Sequence, residues 1–174
     1  MTLLEKAGVI FKVKHTDGNG LPLEAQAKEN IFKTIFLDIG LMQNICGLNS
    51  NILLTSNEDF IKVNEGAIAE QFVAQELLSY QDCYTQPSLY YWVREAKNSS
   101  AEVDYVIPCC SKAIPIEVKS GITGTLKSIH LFFKKANLSV GVKISLLPYD
   151  STLPVISIPF YAIKKIPELI SSYI

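Results

Sequence analysis

Histidine is scarce in this 174-residue chain, which has only His15 and His130, so a zinc centre built on several imidazoles is excluded. The four cysteines, Cys46, Cys83, Cys109 and Cys110, include no C-x-x-C pair, and two of them are adjacent. That is poor geometry for a disulfide framework. They read as reduced thiols, and the expected location is the cytoplasm. No apolar run approaches the roughly 20 residues needed to cross a bilayer, so no membrane partner is expected. The first fourteen residues hold Glu5, Lys6, Lys12 and Lys14, which leaves no apolar signal-peptide core. A basic excess is lacking too. The formal net charge is -1 and the sequence pI about 6.1, so binding to nucleic acid would need a local basic face or help from another domain. There is no G-x-S-x-G elbow and neither histidine has a motif partner, which leaves a serine or cysteine hydrolase without support.

What is present suits an ordinary globular protein: 48% hydrophobic and 19% charged residues, enough chain for one domain with a sizeable core. Leu3 to Gly8 reads as the last turn of a helix stopped by Gly8. A helix without its beginning suggests further protein upstream; the alternative is a short native helix at a true start. Val9 to Val13 alternates as a strand, Asp17-Gly18-Asn19-Gly20 is a turn, and Lys33 to Leu37 reads as a short strand. Asp38 follows as a loop or helix-cap carboxylate, with a site residue as the alternative. Residues 47 to 60 read as a surface connection.

A helix is expected from Gly66 to Tyr80, with Asn64 as its N-cap and Ile68, Phe72, Val73 and Leu77 as its apolar stripe. Glu70 lies off the centre of that stripe. Three strands follow, Leu89 to Arg94, Glu102 to Ile107 and Ile114 to Lys119, joined by loops short enough to force antiparallel neighbours. Thr125 to Ala136 reads as a helix, and Val140 to Leu146 as a strand parallel to its neighbour. Ile156 to Ile163 adds an edge strand and Pro167 to Tyr173 a closing helix.

The chemistry concentrates on the second hairpin. If Ile107 pairs with Ile114 across a loop from Pro108 to Ala113, Asp104 falls opposite Glu117 and Glu102 opposite Lys119. The other parity sets Val103 against Val118 and Tyr105 against Ile116. One face is then apolar and the other carries four charges, a sorting that a one-residue slip would scramble. Side chains directly opposite have Cβ atoms about 4.5–5.5 Å apart. Two carboxylates so placed repel, and either one gains a proton or both share a cation. Mg²⁺ (or Mn²⁺) suits such oxygen ligands, because it takes one or two carboxylates and keeps waters for a substrate phosphate. Lys119 lies about 7 Å along the same face, placed to hold a phosphate oxygen or a nucleophilic water. The plainer reading is a solvated charged face with one ordinary cross-strand pair. Against it, the acids face each other where a structural ladder would alternate signs, and Ala101, Val103, Ile114, Pro115 and Ile116 surround them with apolar bulk.

Asp104, followed thirteen residues later by Glu117-Val118-Lys119, resembles the PD-(D/E)XK motif of restriction-endonuclease-like nucleases. Glu70, in the run from Gly66 to Val73, is similar to the extra acidic ligand of several branches. Longer stretches resemble one family: Leu3 to Ile10, Lys33 to Leu41, Gly66 to Leu78, Tyr91-Trp92, Glu102 to Tyr105, Ile114 to Gly121 and Ile158 to Tyr161. It is the C-terminal domain of prokaryotic AAA+ family ATPases termed domain of unknown function 4143. The resemblance implies an α/β fold with a restriction-endonuclease-like core (helix, three-stranded antiparallel meander, helix, parallel strand) over residues 46–174. Residues 1–45 would be the tail of a winged helix and a connecting segment. It also implies an upstream ATPase domain that binds ATP; this chain departs from that architecture, having no G-x-x-x-x-G-K-[ST] loop.

Two functions follow as expectations. In the first, the chain is a Mg²⁺-dependent phosphodiesterase acting on DNA. Asp104, Glu117 and the Val118 carbonyl would bind the metal, Glu70 would bind a second ion or a bridging water, and Lys119 would stabilise the attacking water and the charge on phosphate. Arg94, Lys127 and Lys134 are candidate contacts to the nucleic-acid backbone, with an ordinary solvated charge as the alternative for each. In the second, the chain is a catalytically silent module of the same fold that binds DNA or protein and regulates an attached ATPase.

Overall fold

The structure, a computed structural model, describes residues 2–47, 58–94, 101–121 and 124–174. It is an α/β fold built on one seven-stranded sheet. In chain order the elements are α1 (Thr2–Lys6), β1 (Ile10–Thr16), β2 (Ala27–Phe36), α2 (Ile39–Ile45), α3 (Glu58–Ser79), β3 (Leu89–Val93), β4 (Glu102–Cys109), β5 (Lys112–Val118), α4 (Lys127–Ala136), β6 (Gly141–Ser145), β7 (Val155–Pro159) and α5 (Ile166–Ser171). The sheet order is β2-β1-β3-β4-β5-β6-β7. β3, β4 and β5 form an antiparallel meander, and α4 then crosses to β6, which lies parallel to β5. β1 and β2 continue the same sheet, β1 running parallel to β3. Among the described residues no helix is long and apolar enough to cross a membrane.

Helices cover both faces. On one, Ala69, Val73, Ala74 and Leu77 of α3 and Ile166 and Ile170 of α5 pack on Val13, Leu89, Tyr91, Tyr105, Ile114 and Ile116. On the other, Phe132 of α4 packs among Tyr90, Trp92, Val103, Val106 and Ala113, its ring edge-on to Trp92 with centroids 5.4 Å apart. β6 begins at Gly141, where a Cβ would come within 2.8 Å of Ile129 and 2.9 Å of Phe133. The missing side chain lets α4 sit close on the strand.

Several expected boundaries move. α3 runs over Glu58–Ser79, so Asn64 lies inside the helix and is not its N-cap. Its buried side runs through Ala69, Val73 and Leu77, with Ile68 and Phe72 only half-buried. β2 extends back to Ala27 because it pairs with β1 almost throughout, a tertiary contact that its polar sequence does not reveal. The expected strand from Ile156 ends at Pro159, and Phe160 to Lys165 is a 3₁₀ helix. Asp38 does cap α2, accepting the Leu41 N–H at 2.7 Å. Of the surface connection read over residues 47 to 60, residues 48–57 lie outside the described ones.

Candidate functional site

The β4–β5 hairpin has the register read from the sequence: Ile107 faces Ile114 and Tyr105 faces Ile116. Its turn is tighter than expected. Both strands run on to Cys109 and Lys112, leaving Cys110 and Ser111 as the connection. Both adopt left-handed backbone, with φ of 49° and 62°, as a two-residue type I′ turn demands.

Toward the other end of the hairpin the regular ladder stops after Tyr105 and Ile116. Asp104 Oδ2 instead accepts the Val118 N–H at 2.7 Å, so a carboxylate stands in for a strand carbonyl. A β-bulge accompanies this change. Two steps along β3, from Tyr90 to Trp92, face three along β4, from Val106 to Val103. The extra residue breaks the alternation, and Tyr105 joins the core beneath α3 while Val103 joins the core beneath α4. The single apolar face and single charged face expected for this hairpin are therefore not formed. Nor does Glu102 face Lys119. Glu102 pairs with Val93 on β3 and makes an ion pair with Lys33, while Lys119 Nζ binds Glu117 Oε1 at 2.7 Å.

Asp104 and Glu117 are 9% and 5% exposed, and their charges are felt strongly. Burial first, then the Asp104 charge, raises the Glu117 carboxyl to about 7, against the pull of Lys119. Glu117 Oε2 is buried without a hydrogen-bond partner. Asp104 is raised as well, chiefly by burial; the Val118 N–H and the charges of Lys33 and Lys119 oppose that rise.

Glu70 reaches the cluster from α3. The Tyr105 hydroxyl donates to the Glu70 carbonyl at 2.9 Å. Gln71, buried beside it, clamps both the N–H and the C=O of Phe36 at 2.9 Å. These bonds fix this turn of α3 over the sheet. Burial, then the charge of Asp104, raises the Glu70 carboxyl to about 7, with Lys33 opposing. Ala69 and Ser120, the chain neighbours of Glu70 and Lys119, line a cleft of about 260 Å³ together with Glu65, Phe72 and Phe160.

Lys33 is the site residue that sequence reasoning missed. Its Nζ lies over the Tyr91 ring, 4.9 Å from the centroid, and 3.9 Å from Glu70 Oε2. Burial alone would lower its pKa, but the hydrogen bond and charge of Glu102, with Glu70 and Asp104, raise it. The one signal for it was a lysine inside an otherwise apolar strand ending, Ile35-Phe36-Leu37. Nothing local told that β2 would come near β4. Among the described residues, the ion pairs of the cluster are made by Lys33 and Lys119; Arg94, Lys127 and Lys134 stand exposed on the surface.

The structure thus gathers Glu70, Asp104, Glu117 and Lys119 at one end of the meander. Residues 65–164, more than half of the chain and including all four, match the family described as Domain of unknown function (DUF4143). The chain belongs to this family. Searches of curated proteins and of solved structures gave no match. Lys33 precedes the segment matched to DUF4143, so this part of the site comes from outside it.

Among the described residues, no three His, Cys, Asp or Glu side chains gather closely enough to hold a metal ion. The donor set still fits a small hard cation. Mg²⁺ needs only one or two carboxylates beside its waters, and the buried, unpartnered Glu117 Oε2 is a ligand atom without another use.

Proposed function

We propose that this chain is a metal-dependent phosphodiesterase domain acting on DNA, with a restriction-endonuclease-like core, normally attached to an AAA+ ATPase. The observation that carries this reading is the pairing of two buried carboxylates, Asp104 and Glu117, with Lys119 beside them and one Glu117 oxygen unpartnered. The run of α3, meander, α4 and parallel β6 supports the fold assignment.

Asp104, Glu117 and the Val118 carbonyl would hold Mg²⁺ or Mn²⁺. A strand residue sends its N–H and C=O to the same side, so Val118, whose N–H meets Asp104, turns its carbonyl toward that carboxylate as well. When bound, the ion would polarise a phosphoryl oxygen and acidify a bound water. Glu70 contributes further negative charge at the rim. Lys119 holds Glu117 in place and offers a positive charge to an attacking water or to the oxygens of the reacting phosphate. Arg94, Lys127 and Lys134 are proposed to meet the nucleic-acid backbone outside the cluster.

The test is incubation with DNA and Mg²⁺ or Mn²⁺, comparing the parent with Asp104→Ala and Lys119→Ala. Cleavage should require the ion and fall by about 10²–10³-fold or more in each variant, the scale for losing one charge-stabilising group. A parent with neither cleavage nor metal affinity would overturn the reading and leave the silent regulatory module.

A further inference from the structure

We propose that the Lys33 ammonium stands where a second cation would otherwise sit between Glu70 and Glu102, so that the site takes one divalent ion and not two. This rests on the metal-binding reading above. Lys33 belongs to β2, separated from β4 by β1 and β3 in the sheet. Its side chain crosses the Tyr91 ring to meet both Glu102 and Glu70. A cation on an aromatic face, largely withdrawn from water and paired with carboxylates, is held much as a bound ion is held.

Charge balance points the same way. Glu70, Glu102, Asp104 and Glu117 influence one another, and among the described residues the cations paired with them are Lys33 and Lys119. When all are ionised, four negative charges meet two positive ones. One divalent ion closes the difference; two would leave an excess of two positive charges in a partly dry site, an excess that loss of the Lys33 ammonium halves. Glu117 Oε2 is buried and unpartnered, whereas Glu102 and Glu70 already share Lys33.

The proposal predicts a count. Titration calorimetry of the full chain with MnCl₂, without DNA, should give one ion per chain, abolished by Asp104→Asn. Lys33→Met keeps the aliphatic stem over Tyr91 and removes the charge; it should raise the count to two. Lys33→Arg should restore one. A parent that binds two ions overturns the proposal, whatever the stability of the variants. So does a folded Lys33→Met variant, checked by circular dichroism, with the parent's count and affinity; that result leaves the metal site itself intact. A parent that binds no ion, or one retained in Asp104→Asn, overturns the underlying site reading as well.

Discussion

Glu117 keeps one carboxylate oxygen on the Lys119 ammonium and the other buried without a partner, so its charge is stabilised on one side only. In the folded chain it titrates near 7, against an ordinary value of 4.5. Between those two values the folded state holds a proton that the unfolded state has released. Stability from this group is therefore full below about pH 4.5 and is lost as pH rises through 7. With a side chain only 7% exposed, the loss amounts to about 3 kcal/mol. Glu70 shifts in the same direction, but its side chain is 40% exposed and its share is correspondingly smaller. Glu117→Gln imitates the protonated acid. Without divalent ions it should be more stable than the parent at pH 8, by about 1–3 kcal/mol, and nearly equal to it at pH 4.5. Urea unfolding at the two pH values, in chelator, measures this; parallel pH dependences in parent and variant would contradict it.

The β4–β5 hairpin shows how an element carries residues into place. Its turn bends through two non-glycine residues with positive φ, Cys110 and Ser111, a conformation costing an L-residue roughly 1–2 kcal/mol. Ser111→Gly should therefore stabilise the chain by about 0.5–1 kcal/mol, once the extra freedom of glycine in the unfolded state is subtracted. A denaturation midpoint that is unchanged or lower would show that the turn is not strained. The hairpin's register was legible in the sequence, because only one pairing sorts Tyr105 with Ile116 and brings Asp104 toward Glu117. The β-bulge was not. It depends on how β4 meets β3, a neighbour outside the hairpin, and it is what separates Val103 from Tyr105 and turns Glu102 to Lys33. Likewise the helical period around Val73 and Leu77 revealed α3, but its start at Glu58 was hidden, since Asn64 is as good a local cap signal as any. Glu70 entered the site only by resemblance. Sequence pattern reports local faces; contacts such as Lys33 with Glu102 are made by the sheet as a whole.

At the scale of the molecule, the segment matched to DUF4143 begins at residue 65, yet the sheet begins with β1 and β2. These strands do three things for the rest. β1 covers the edge of β3 by parallel pairing from Val13 to His15. Val13 and Ile35 complete the core beneath α3. Lys33 supplies the cation that faces Glu70 and Glu102. Removing them would leave Leu89-Tyr90-Tyr91-Trp92-Val93 as an edge strand with no charge or proline to guard it, the kind of edge that pairs with other chains. It would also leave two carboxylates of the cluster without their ammonium, at a site where burial already raises Glu70. A chain starting at Glu58 should consequently fail to fold as a monomer. It should elute as aggregate in size-exclusion chromatography with light scattering, and show no cooperative urea transition, while the full chain shows one. A monomeric, cooperatively unfolding chain of residues 58–174 would mean that β3 tolerates its open edge and that the first two strands serve the site alone. In that event the shortened chain should bind Mn²⁺ as Lys33→Met does, with two ions in place of one.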